Sequence, residues 1–486
     1  MESNEIKQKS ISGAIWSLSI SIILLSLSFL LNIYLGRLGS EVLGSYAFFI
    51  LVASLIPIFI FFGGNAVFVK YIPELAQDKK IPFVLTYTFI IIIFGSFISA
   101  ILIFEPRFLH FVVKRDITPT VIYYSLLLAP IILSQRILSS VLQSLIEIKW
   151  IEIAGGIPIL LNLTTVFIFS FFFRDYFIRN YQYILMIMIV FSYTVSLIVL
   201  GFRFWKIFVA KFPFSLTIFL PKRFWRFSIF LHLSTLTDFV FQKADQFLVF
   251  GLFNVSSLGL YRAVIILAEF VRWFPLLLMR TTFPMFSNLI ANKKAITTEF
   301  REIVRINTTL SIFVAAICVL FGKEMLLLFG HEYQKGSFML NILALVFVIS
   351  SISTVYSSLI LSSGKSSWMF GISFFGSLIQ IIVTAALLND YNILAVAIGR
   401  ASSLAVVAAI EGFLVYKLFG HFPPPEFILP FLFLGGILIG ITTIDINITV
   451  RIILFIFFGL FLAHFKIFKL DDFRKVKRAM LGGLSS

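Results

Sequence analysis

The chain has 486 residues, 60% of them hydrophobic and only 13% charged, roughly half the charged share of a soluble domain. It carries 61 Phe and a net charge of +16. So many aromatic rings cannot hide in one water-soluble core, which excludes a soluble enzyme or binding module and predicts an all-α polytopic membrane protein.

In chain order, apolar stretches long enough to cross the hydrocarbon layer as helices fall at residues 12–36, 42–62, 83–104, 118–141, 153–173, 183–205 and 227–252. They continue at 256–280, 303–322, 337–361, 369–388, 393–416, 427–444 and 448–467, giving fourteen predicted spans. The runs are continuous rather than alternating, which excludes a β-barrel. The first lacks a small-residue cleavage site and reads as a span rather than a removed signal peptide. The predicted layout is a first lobe of six spans (1–205), a cytoplasmic linker (206–226), a second lobe of six (227–417), two accessory spans (427–467) and a basic cytoplasmic tail (468–486).

Orientation follows from the basic residues. With both termini cytoplasmic, most of the 39 Lys and Arg fall on inside segments, chiefly Arg203–Arg226, Arg280–Arg305 and Lys466–Arg478. That is the positive-inside bias, and it explains the basic charge without a nucleic-acid partner. The loops, of which Glu105–Ile117 and Phe321–Gly336 are the longest outside, are too short for a soluble catalytic domain. The run Gly330–Gly336 lacks the Gly-Lys-Ser/Thr ending of a P-loop, so the chain is not expected to hydrolyse ATP. Cys318, the only cysteine, lies in a span and has no partner for an internal disulfide.

An internal repeat links the two lobes. Gly36 pairs with Gly251, and Leu43-Gly44-x-Tyr46 with Leu258-Gly259-x-Tyr261, at one common offset. Six spans separate the repeats, so both halves enter the membrane in the same orientation, a transporter architecture with the substrate path between halves.

Ionisable residues inside the bilayer are costly and mark candidate sites. Spans one and two carry only a Ser/Asn stripe (Ser10, Ser17, Ser21, Ser28, Asn32), fit either for close helix packing or for contact with sugar hydroxyls. In span seven Ser234, Thr235, Asp238, Gln242 and Asp245 share a face, and in span eight Arg262, Glu269 and Arg272 lie within a stripe of roughly 80°. Asp245 and Arg262 lie about 10 Å from the outer ends of their spans, while Asp238 and Arg272 lie roughly 21–24 Å in. Two acid–base rungs at matching depth are therefore expected, Asp245–Arg262 and Asp238–Arg272, with Glu269 near the lower one. They are either structural ion bridges or the lining of a cavity in which cations meet a pyrophosphate and a carboxylate carries a coupling ion. Lys243 is either a second cavity contact or a snorkelling residue. Arg136 lies near the inner end of span four and either snorkels or binds. Arg400 sits in the small-residue run Ala395–Ser403 and is expected to be a cavity cation. Arg451 is expected to be an interfacial anchor, and Glu411, near the inner end of span twelve, is left open. His110, His331 and His464 have no ligand or triad spacing, so no enzyme activity is expected.

Gly36-Arg-Leu-Gly39-Ser-Glu-Val-Leu-Gly44-Ser-Tyr46 and Phe62-Gly63-Gly64 with Lys70-Tyr-Ile-Pro73-Glu74 resemble the amino-terminal half of polysaccharide-synthesis flippases. Asp245 ahead of Leu258-Gly259-x-Tyr261, Leu328-Phe-Gly330-His-Glu-Tyr333 and Ser363-Gly364-Lys365 extend the likeness to about residue 416. These flippases belong to the multidrug/oligosaccharidyl-lipid/polysaccharide exporter superfamily. The resemblance implies two six-helix lobes around a central cavity, with two accessory helices that form either a groove for a polyprenyl tail or a plain anchor. It implies flipping of a polyprenyl-pyrophosphate-linked oligosaccharide to the outer leaflet of a bacterial inner membrane, by alternating access driven by an ion or the membrane potential. The sites expected on that basis are Arg262, Arg272, Arg400, Lys243, Gln242 and Arg136 for substrate, and Asp238, Asp245 and Glu269 for ion coupling. No cofactor is expected beyond H⁺ or Na⁺, and the partners implied are the lipid-linked glycan, membrane lipids, a polysaccharide polymerase and chain-length proteins. Two rival readings share the architecture. A multidrug antiporter normally has twelve spans and an acidic residue in span one. A peptidoglycan-precursor flippase concentrates more charge in its first lobe than this chain does.

Overall fold

The computed structural model describes residues 2–104, 119–222, 224–291, 296–420, 431–432, 434–436 and 447–464. Most of the expected thirteenth span, the loop Glu105–Ile117, the basic tail and the cluster Lys466–Arg478 lie outside the described residues, as do His110 and the side chains of Ser10 and Ser17. Among the described residues the long elements are all helices: α1 (Glu2–Leu38), α2 (Ser40–Ile60), α3 (Gly64–Glu74), α4 (Gln77–Phe104), α5 (Pro119–Ser144), α6 (Ile148–Phe172) and α7 (Arg174–Phe204). They continue with α8 (Phe224–Leu252), α9 (Val255–Ala291), α10 (Thr297–Leu327), α11 (Ser337–Ser362), α12 (Ser366–Tyr391), α13 (Ile393–Phe419) and α14 (Ile448–His464). The expected spans one to twelve and fourteen each fall on a helix. Eight described helices are long and apolar enough to cross a membrane.

The outward faces say which solvent the helices meet. On α7, Ile187, Phe191, Ile198 and Phe202 are each well over half exposed and follow one another by four or seven residues, one stripe on one face. Large apolar side chains facing outward in a row suit lipid, and helices suit lipid because they satisfy every backbone group internally. The chain is thus a polytopic all-α membrane protein.

Two compact units are present: residues 1–239 with 250–259, and residues 240–249 with 260–486. In the first unit α1 packs along α6, α6 along α7, and α5 against α2, α3 and α7. Between α6 and α7, Arg203 donates to the Glu147 carboxylate at 2.6 Å while covering the Trp150 ring. An aromatic core of Phe68, Phe83, Tyr87 and Phe224 packs where α3, α4 and α8 meet.

The second predicted span falls on α2 and ends at a break in the chain. The chain breaks after Ile60, and Gly63 (φ +81°) and Gly64 (φ +63°) adopt a left-handed backbone that side chains rarely tolerate. At Gly63 there is no room either, since a Cβ would lie 2.6 Å from Val67 and 3.1 Å from Ser228. Backbone outside a helix needs other partners, and the Tyr87 hydroxyl supplies one by donating to the Phe62 carbonyl.

In the second unit α10 packs on α11, and α13 packs on both α11 and α12. Glycines set the α12–α13 approach: a Cβ on Gly399 would lie 2.2 Å from Thr384 Oγ1 and 2.8 Å from the Gln380 carbonyl. The last described helix joins this unit through Arg451, which was expected to be an interfacial anchor. It is buried, and donates to Glu324 at 3.0 Å and to the Leu320 carbonyl at 3.3 Å, tying α14 to α10.

Candidate functional site

The close contact at Gly399 holds α13 against α12, with Arg400 beside Gln380. Arg400, 3% exposed, donates to the Phe241 carbonyl, lies 5.0 Å from the Phe241 ring centre and reaches Gln380 Oε1 at 3.5 Å. Its Nε stands 3.9 Å from Asp245 Oδ2, close enough for charge attraction but too far for a hydrogen bond. Asp245, 1% exposed, is occupied otherwise: Tyr261 donates to Oδ2 at 3.0 Å and the Gln246 amide to Oδ1 at 2.9 Å. Among the described residues, Arg400 Nε, Gln380 Nε2 and Thr384 Oγ1 are buried and find no hydrogen-bond partner.

The expected rung Asp245–Arg262 is therefore replaced by Asp245–Arg400, with Tyr261 closing the carboxylate. The reason is angular. Depth along two helices was matched from the sequence, but successive helical residues point ~100° apart, so when Tyr261 faces Asp245 its neighbour Arg262 faces elsewhere. Arg262 instead shares an electrostatic neighbourhood with Lys243, to which Glu269, Asp245 and Arg400 also belong. Three cations meet two carboxylates there. Arg262 Nε is buried and, among the described residues, makes no hydrogen bond. Glu269 is exposed on α9.

The remaining predicted residues are placed as follows. Arg272, half-buried on α9, lies 5.1 Å from the Phe347 ring centre. Gln242 and Asp238 are exposed on α8. Asp238 falls in the first unit and Arg272 in the second.

Arg136 belongs to a different place. In the first unit it lines a cavity of about 300 Å³ together with Gly63, Gly64, Asn65 and Thr235. The cavity opens at the helix break, where the first amides of α3 have no intrahelical acceptor. Ser140 orients Asn65 by donating to its Oδ1 at 2.8 Å. Arg136 is thus a cavity residue, and among the described residues no carboxylate forms an ion pair with it. Among the described residues no group of His, Cys, Asp and Glu is arranged to hold a metal ion.

Several site residues were missed in the sequence. Tyr261 stood in the repeat motif but was read only as a marker, and Gln380, Thr384 and the Phe241 carbonyl carry no signal in a list of charges. Glu411 was singled out without a partner, because its two serines lie on another helix.

The MatE family matches residues 231–386 of this chain. No curated protein matches it. Among solved structures, the chain is similar to an inward-facing multidrug resistance MATE family transporter of the MOP superfamily, with TM-score 0.66 at 16% identity over 84% of this chain and 98% of that one. It is similar to the lipid II flippase MurJ in an inward closed conformation, with TM-score 0.69 at 15% identity over 92% of this chain and 97% of that one. A MOP superfamily transporter from Pyrococcus furiosus gives TM-score 0.56 at 15% identity over 85% of this chain and 96% of that one. At such identities it is the fold that is shared: this chain has the fold of MATE transporters and the MurJ flippase.

Proposed function

We propose that this chain is a transporter that flips a polyprenyl-pyrophosphate-linked oligosaccharide, a repeat unit of O-antigen, capsule or exopolysaccharide, across a bacterial inner membrane. Both termini are cytoplasmic in this reading, and the glycan moves outward by alternating access driven by an ion gradient or the membrane potential. The motifs at Gly36–Tyr46 and Leu328–Tyr333 support the substrate class, and the shared fold supports transport.

The observation that carries the reading is the surplus of cations at Lys243, Arg262 and Arg400. Buried guanidinium nitrogens that meet no acceptor among the described residues, Arg262 Nε and Arg400 Nε, suit an anion that enters between the cations. A pyrophosphate suits them, because a guanidinium stays charged at any physiological pH and its planar fork binds two oxygens at once. Release then needs a competing carboxylate, and Asp245 and Glu269 stand nearby. The sugar hydroxyls add neutral hydrogen bonds, and the prenyl tail stays in lipid, where it costs nothing to leave it.

The test is a flipping assay in proteoliposomes with a fluorescent polyprenyl-pyrophosphate oligosaccharide, comparing the full chain with Lys243→Gln/Arg262→Gln. The double variant is expected to lose at least tenfold in rate; an unchanged rate refutes the site. A second reading, a lipid II flippase, is favoured by the likeness to MurJ extending over 92% of this chain. A third, a multidrug antiporter, is favoured by the MatE match. Lipid II and a cationic dye, each offered in the same vesicles, separate the three.

A further inference from the structure

Glu411 takes no part in the cation cluster. It lies on α13, is 1% exposed, and faces α11. Ser357 donates to its Oε1 at 2.7 Å and Ser353 donates to its Oε2. The two serines are one helical turn apart, so both hydroxyls reach one carboxyl group. Among the described residues no Lys, Arg or His pairs with it. The titratable group that faces it is the Tyr356 phenol of α11, whose ring is stacked on Phe300 of α10 and packs against Gly412.

We propose that Glu411 is a proton-binding site of this protein, a carboxyl group that takes up and releases one H⁺ and changes the hydroxyl contacts between α11 and α13 as it does so. A buried carboxylate with no cation bears the full cost of desolvation, so its neutral form competes strongly with its charged form. The serines make both forms habitable. With the carboxylate ionised, both hydroxyls donate to it, as observed. When a proton from water binds one carboxyl oxygen, that O–H becomes a donor and one serine must accept. The displaced serine proton then has a destination on its own helix, the carbonyl four residues back. Thr354 and Ser358 of the same helix already make that bond, to Ser350 at 2.9 Å and to Thr354 at 3.0 Å. No covalent bond other than the O–H forms or breaks. A metal cation is a poorer occupant, since the carboxyl and two hydroxyls offer four oxygens where Ca²⁺ takes six or more.

The experiment is an infrared pH titration of the full chain in nanodiscs, following the C=O stretch of protonated carboxylic acid. The wild type is expected to show an acid band that is present at low pH and lost as pH rises, and Glu411→Gln is expected to lack it. Ser353→Ala/Ser357→Ala removes two donors to the charged form and is expected to shift the loss of the band to higher pH. If Glu411→Gln does not fold, Glu411→Asp must retain the band at a displaced frequency. A titration identical in wild type and Glu411→Gln overturns the proposal, and so does a band that no pH change removes or that Na⁺ removes at constant pH. The spectrum needs no transported molecule, so its outcome is independent of which substrate the chain carries.

Discussion

Gly44 and Gly259 close on one another reciprocally: a Cβ on Gly44 would lie 1.9 Å from the Val255 carbonyl oxygen, and one on Gly259 would lie 1.9 Å from the Ser40 carbonyl oxygen. Each would also lie 3.0 Å from the other glycine's amide nitrogen. These are the two glycines of the Leu-Gly-x-Tyr repeat, so the start of α2 and the start of α9 cross as near-equivalents. Beside them Ser40 and Ser256 share a hydrogen bond of 2.6 Å between hydroxyls. Backbone cannot retreat as a flexible side chain can. Gly44→Ala and Gly259→Ala are each expected to cost about 1–3 kcal/mol, the range of overpacking, read as a lower thermal midpoint in detergent. Gly155→Ala, on α6 with nothing within 4 Å of the added carbon, is the control and should be neutral or slightly stabilising.

The Arg400–Asp245 pair predicts non-additivity. Arg400→Ala deprives buried Asp245 of the cation 3.9 Å away and is expected to lower stability. The loss should fall below the ~3–5 kcal/mol of a fully orphaned buried charge, because Tyr261 and the Gln246 backbone amide still donate to it. Asp245→Asn combined with Arg400→Gln removes both charges, and its loss of stability should be smaller than that of Arg400→Ala alone. Equal losses in chemical denaturation would show that the two charges are not coupled.

Lys243 and Arg262 predict opposite effects on stability and binding. Removing one of two repelling cations should leave the empty protein as stable or more stable, because the repulsion is relieved. The same change should reduce the stabilisation that inorganic pyrophosphate gives, measured as the shift in thermal midpoint across a pyrophosphate series. The shift in the wild type should also shrink with added salt if exposed charge contributes to it.

Arg451 anchors α14 by a bond whose acid partner is partly exposed, with side-chain exposures of 8% and 41% for Arg451 and Glu324. Solvent screening keeps the expected loss small: Arg451→Ala should cost about 1 kcal/mol or less in thermal stability. It should nevertheless make the Leu320 carbonyl exchange partners, seen as faster proteolysis near residues 447–464 in detergent.

The fold was highly legible in this sequence because bilayer-spanning helices are written as long apolar runs. The Leu-Gly-x-Tyr pair is legible too, and its two glycines meet backbone to backbone. The end of the second run at residue 62 coincides with the break, but the left-handed backbone at Gly63 and Gly64 is not written in hydropathy. The site was legible in composition but not in pairing. Arg262, Arg400, Asp245 and Lys243 were all picked out as charges inside the membrane, yet the partner of Asp245 was decided by the rotation of α9 and the closeness of α12 to α13. Neither can be read from depth along one helix. Arg451 and Glu411 show the same limit: each is a charge whose meaning lies in a residue of another helix.

The bond from Tyr87 to the Phe62 carbonyl has a consequence for biogenesis. The acceptor belongs to the break after α2, while the donor is made one hairpin later, on α4. As the chain leaves the ribosome, the Phe62 carbonyl is therefore made before its own partner exists. Admission of α2, α3 and α4 together as one group would supply that partner during insertion. Tyr87→Phe, which keeps the ring and deletes the donor, would expose that step as misinsertion early in synthesis rather than as a defect of the finished protein.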